Sequence, residues 1–143
     1  MWTTRSSTPD PSELEPIALV DAWNVIRSRW PNMREERFVE LALVWAEREG
    51  VEALLVFDGS APGGLVGARA VDERTTLIGT GPGSADDWIV DEVTHLEGAR
   101  PVWAVTSDRE LRARVEPYVE RVVGGGSFAA LLEGLDGDVE TTT

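Results

Sequence analysis

Apolar residues along this chain come in two rhythms. Continuous short runs, "IALVD" (17–21), "ALLVFDG" (53–59), "PVWAVTSD" (101–108) and "ERVVG" (120–124), predict strands buried on both faces, and "RTTLIG" (74–79) predicts a further one. Between them the spacing turns helical. In "EERFVELALVWAEREG" (35–50), Phe38, Leu41, Ala42 and Trp45 share one face, and Gly50 supplies a stop. A second helix starts after Ser84, with Ala85, Ile89, Val93 and Leu96 on one stripe, and ends at Gly98. Shorter helices are predicted from Asp108 to about Val115 and over "SFAALLEGL" (127–135). Strands alternating with helices imply a mostly parallel sheet of about five strands covered on both faces, a three-layer α/β/α domain. It is expected over residues 16–135, between polar tails at 1–15 and 136–143.

Composition narrows the class. At 143 residues, 42% apolar and 27% charged, the chain has the size and make-up of one globular domain with a real core. It contains no cysteine, which excludes disulfides, thiolate metal sites and thiol nucleophiles. No apolar run is long enough to span a bilayer and the N-terminal stretch lacks a signal-peptide core, so a cytoplasmic protein without membrane contact is expected. The net charge of −13, with arginine as its sole strong base, disfavours long-range attraction to nucleic acid. A local arginine patch remains compatible with it, and so does a cation site.

The chemistry lies in where the aspartates fall. Ligands of open α/β sheets bind beyond the carboxyl ends of the strands. Asp21 closes the first run, Asp58 the second and Asp108 the run at 101–108, while Asp86 opens the helix after 74–79. Carboxylates gathered at one edge repel unless cations or protons compensate, and hard ions such as Mg²⁺ or Mn²⁺ are the usual compensation. Each acid also has a purely structural reading. Asp86 and Asp87 suit the positive end of a helix, "FDG" suits a turn, and Ser107 with Glu110 suits a capping box that makes Asp108 a first-turn acid. Taken together at one edge, they favour the metal reading. His95 falls mid-helix and reads as a surface residue, and "GTGPGS" (79–84) lacks the spacing of a phosphate-binding loop. Most of the six tryptophans read as packing, with Trp23 and Trp88 beside the acids as the exceptions.

The ordered set "LVDAWNVI", "VFDG", "SADDWI" and "VTSDREL" resembles the NYN ribonucleases, the YacP-like branch of the PIN-domain nucleases, over residues 17 to about 133. The resemblance implies a PIN-like fold and Mg²⁺- or Mn²⁺-dependent cleavage of RNA phosphodiesters, as an endoribonuclease. It implies Asp21, Asp86 and Asp108 as metal ligands, with Asp58 and Asp87 as outer ligands or water positioners. Asn24 and Ser107 would orient the ligands from behind. Arg27, Arg29, Arg34, Arg37, Arg109 and Arg112 are candidates to hold the RNA backbone. The family's first motif commonly reads D-G-Y-N, where this chain has Ala22 and Trp23, and an acid common in the "AD" helix is replaced by Val90.

Two other classes compete. A haloacid-dehalogenase-like phosphatase needs a second aspartate where Trp23 stands and a lysine that the chain lacks. A catalytically weak PIN-like module, serving a protein partner or a ribosome-associated assembly, accords with the acidic charge; the intact acids accord with the enzyme.

Overall fold

The structure, a computed structural model, describes residues 13–142, with side chains through residue 136. Six strands form one sheet in the order β3-β4-β2-β1-β5-β6. These are β1 (Ile17–Asp21), β2 (Glu52–Phe57), β3 (Gly67–Ala70), β4 (Thr75–Gly79), β5 (Val102–Val105) and β6 (Arg121–Val123). All neighbours run parallel except β3, which pairs antiparallel with β4. The helices are α1 (Ala22–Ile26), α2 (Glu35–Glu49), α3 (Ala85–Leu96), α4 (Arg109–Val115) and α5 (Gly125–Thr142).

The period of two along β1 and β2 sorts the core into two layers. Ala18, Val20, Ala53, Leu55 and Phe57 face α1, α2 and α5, whereas Ile17, Leu19, Leu54 and Val56 face α3 and α4. Both faces are therefore apolar, which is why these strands read as unbroken apolar runs. On α2 the predicted stripe is buried, and Trp45 meets Phe128 of α5 edge-on at 4.8 Å. Burying one such aromatic contributes about 1.5–3 kcal/mol, so this contact anchors α5 over the sheet. Gly50 adopts φ 68°, the left-handed conformation that ends α2.

The sixth strand is the element missing from the sequence pattern. β3, "GARA", is exposed at every residue, because as an edge strand it buries neither face. Asp72 turns the chain into β4 by accepting from the backbone N–H groups of Arg74 and Thr75. At the other end of the chain, the backbone continues as helix through Thr142, across residues read from sequence as a tail. Two ion pairs dock α5 onto its neighbours, Arg29 with Glu133 at 2.9 Å and Arg37 with Asp136. The predicted N-terminal tail lies outside the described residues up to position 12. Glu15 is fixed: its carboxylate pairs with Arg74 at 2.7 Å and its carbonyl accepts from Arg100.

β1 lies between β2 and β5, and the chain builds the sheet outward from it in both directions. The carboxyl end of β1 is thus the switch point where such sheets bind ligands. Beside it the loop after β2 is stitched to the end of β4. Gly81 donates to the carbonyl of Gly59, and Gly59 donates to Thr80 Oγ1 at 3.0 Å. A Cβ on Gly79 would collide with the carbonyl oxygen of Leu65 and crowd the backbone of Ala61 and Gly59. Backbone cannot step aside as a side chain can. Gly79→Ala is therefore expected to cost about 1–3 kcal/mol in urea unfolding. Gly134→Ala, in open space on α5, should instead gain about 0.5–1 kcal/mol. Equal stability of the two variants would contradict this packing.

Candidate active site at the carboxyl edge of the sheet

Asp21 ends β1 and is buried, 8% exposed. It has one direct partner in the loop after β5: Thr106 donates through Oγ1 to Asp21 Oδ2 at 2.9 Å. The same Thr106 oxygen accepts from the backbone N–H of Asp108 at 3.1 Å, so one hydroxyl ties the first acid to the fourth. Thr106 is itself buried and pinned to β6 through the carbonyl of Val123. Sequence reasoning passed over it, although it is the first residue of the "TSD" run; a small polar residue closing an apolar strand was the available signal.

Asp58 follows β2 and accepts through Oδ1 from the backbone N–H of Ala85 at 3.0 Å. It therefore caps α3 from another part of the chain, while Ser84 caps it locally by accepting from Asp87 N at 3.1 Å. These two caps fix α3 so that Asp86, in its first turn, joins Asp21 and Asp58 in one cleft of about 650 Å³. Trp23, Asn24, Arg27, Ser84 and Ser107 complete much of the wall. Trp23 holds its place by edge-on packing on Phe57 and by donating from Nε1 to the carbonyl of Asp58 at 3.2 Å.

The structural reading of Asp108 also holds. It is the N-cap of α4, accepting through Oδ1 from Leu111 N at 2.9 Å. The predicted capping serine does something else. Ser107 Oγ accepts from Gly125 N at 2.8 Å, and Ser107 N donates to Asn24 Oδ1 at 2.9 Å. Asn24 and Ser107 thus clamp α1, the loop after β5 and the start of α5 around the cleft. A Cβ on Gly125 would strike the Asn24 carboxamide, so the glycine that opens α5 is a packing requirement.

The other expected residues separate. Asp87 is exposed and bonded to Arg114 at 3.0 Å, outside the cleft lining. Of the six arginines, only Arg27 lines the cleft, with its guanidinium 4.7 Å from the Trp23 ring centre. Arg29 and Arg37 pair with α5 acids, and Arg34 pairs loosely with Glu36 at 3.7 Å. Arg112 lines a different depression, beyond α4, and Arg109 is exposed at the start of that helix. His95 is exposed near the far end of α3.

Burial pushes the Asp21 carboxyl up from 3.8 to about 6, against the lowering effect of the Thr106 bond and with the help of Asp86, Asp108 and Asp58. Asp86 is raised as well, first by burial and then by Asp108, with Arg114 acting in opposition. Among the described residues, no three Asp, Glu or His side chains converge closely enough to cage a metal ion unaided. A hydrated Mg²⁺ or Mn²⁺ asks for less, since such ions retain several waters and use one or two carboxylates. The oxygen-only donors, all acidic, fit that mode of binding.

Fold and site together define the class: the chain has a PIN-like fold of the YacP type, with its acids at the carboxyl edge of the sheet. Among solved structures, it is similar to those of Rae1 (YacP) from Bacillus subtilis. A mutant form superposes with a TM-score of 0.66 at 19% identity, covering 87% of this chain and 79% of that one. A second Rae1 (YacP) structure gives 0.63 at 20% identity, covering 88% and 78%. The likeness at this identity is one of fold. No protein-family model and no curated protein matches the chain.

The raised Asp21 sets a pH dependence. The folded state holds this proton more tightly than the unfolded chain, so stability falls as pH rises from about 4 to about 6 and then levels off. The full effect is on the order of 2–3 kcal/mol. In EDTA, Asp21→Asn should be more stable than wild type above pH 6, with the difference fading toward pH 4 in urea melts. A difference that does not vary with pH would show that Asp21 carries no such strain.

Proposed function

We propose that this protein is a metal-dependent ribonuclease, an endonuclease that hydrolyses RNA phosphodiester bonds in the acidic cleft. The observation that carries the reading is the meeting of Asp21, Asp58 and Asp86 in one cleft at the switch point, with the charge of Asp108 felt there. The fold shared with Rae1 (YacP) supports it.

Asp21 and Asp86 would hold a hydrated Mg²⁺ or Mn²⁺, with Asp108 engaging it through bound water; when bound, the ion offsets negative charge on the reacting phosphate and eases deprotonation of water. The remaining residues position. Asp58 keeps α3 capped and Asp86 at the cleft wall. Thr106 orients Asp21 and spaces it from Asp108. Asn24 and Ser107 hold the two loops that frame the cleft. Arg27, stacked on Trp23 beside the acids, supplies the cation that draws a phosphate into an otherwise repulsive site.

A second reading has a specific observation in its favour. The net charge is −13, Arg29 and Arg37 are paired to α5, and of the six candidate arginines only Arg27 lines the cleft. A catalytically weak module that binds a protein partner in an RNA-related assembly would carry the same surface.

One set of assays separates them. Asp21→Asn, Asp86→Asn and Asp108→Asn should each lower Mn²⁺- or Mg²⁺-dependent cleavage of a labelled RNA by roughly a hundredfold, with circular dichroism unchanged. His95→Ala should cleave normally. In thermal melts, Mn²⁺ at a hundredfold excess over Kd should stabilise wild type by about 2.7 kcal/mol and the aspartate variants much less. Near-normal cleavage by any one aspartate variant would remove that residue from the set. Failure of wild type to cleave any RNA, with a metal shift present, would favour the binding module.

A further inference from the structure

A second groove, of about 380 Å³, adjoins the acidic cleft and shares Trp23 and Arg27 with it as a common wall. Beside the shared wall it is lined by Ile26, Asn32 and Met33 and by the charged Arg34, Glu35 and Glu36. The size is at the lower end for small-ligand sites, about 300–1,000 Å³. Charge is unevenly laid out along it. Among the described residues no carboxylate pairs with Arg27, and Arg34 is 83% exposed and only loosely engaged by Glu36. Glu35 and Glu36 line this groove and not the acidic cleft. A phosphate is thus attracted to the shared wall and repelled from the start of α2, so a neutral, flat group suits the interior. Trp30, 89% exposed, lies in the same loop as Asn32, Met33 and Arg34.

We infer that this groove seats one unstacked nucleotide of a single-stranded RNA, whose adjoining phosphate sits at Arg27 on the wall of the acidic cleft. The inference rests on the ribonuclease reading for the identity of the polymer. The base would lie against Trp23 and Met33 and use the Asn32 carboxamide for an edge hydrogen bond, while Arg34 covers its backbone side. Trp30 offers a surface for the next base, since every base presents a face for stacking. A duplex does not fit, because its bases are already paired and stacked. The protein would therefore cleave at a fixed offset from an unpaired nucleotide.

The test uses the full chain and short labelled RNAs. The double variant Asn32→Ala with Arg34→Ala changes two solvent-facing side chains and should melt like wild type. It should raise KM for single-stranded RNA about tenfold, with a smaller change in kcat. Removing the base at one fixed offset from the cleaved bond should produce the same loss, and should add nothing in the double variant. Trp30→Ala should weaken single-strand binding independently. An unchanged KM in the double variant, or a duplex bound as tightly as the single strand, would overturn the groove. If wild type cleaves no RNA, the ribonuclease reading falls on that result alone. The groove is then judged by fluorescence anisotropy of the labelled single strand. Binding lost in the double variant sustains it, and absent or unaffected binding overturns it.

Discussion

The arrangement turns on one carboxylate held out of water. Asp21 sits at the end of the central strand, where burial and neighbouring acids both resist its ionisation and only Thr106 directly favours it. Removing solvent from a charge is costly, and like charges nearby add to the cost. The surroundings make sense as a means of tolerating that placement. Thr106 is buried and its backbone is fastened to β6, which places its hydroxyl beside Asp21. Asp58 and Asp108 each use one oxygen to cap a helix, which spends part of their charge on backbone N–H groups. The acids are thereby structural and electrostatic at once; the choice between a helix-cap reading and a site reading was never exclusive.

Much of this was legible in the chain because parallel strands buried on both faces announce themselves. β1, β2 and β5 are continuous apolar runs that end in Asp21, Asp58 and, three residues on, Asp108. Helix periodicity likewise located α2 and α3. β3 escaped because four exposed residues on an edge carry no burial pattern at all. The paired acids in "ADDWIV" could not be told apart in one dimension. Successive residues on a helix point about 100° apart, so only one of them can face the cleft; Asp86 does, and Arg114 draws Asp87 outward.

The arginines were the least legible feature for a related reason. Their count near the first motif says nothing of what neutralises them, and the neutralising acids, Glu133 and Asp136, come from the far end of the chain. What is left facing the cleft is Arg27, whose position depends on an aromatic ring and not on an acid. Trp23 occupies a place where the resembled family often has tyrosine, and here it carries three duties: it packs on Phe57, donates to the Asp58 backbone and supports Arg27.

The anchoring of Glu15 has a practical side. Arg100 and Arg74 clasp this residue just before β1 begins, while the cleft opens where β1 ends. A strand of five residues separates the two, roughly 16 Å at the usual rise. A force applied to the backbone at Glu15 therefore acts at the rim opposite the cleft. Pulling there would load the Glu15 clasp before the force reached the aspartates.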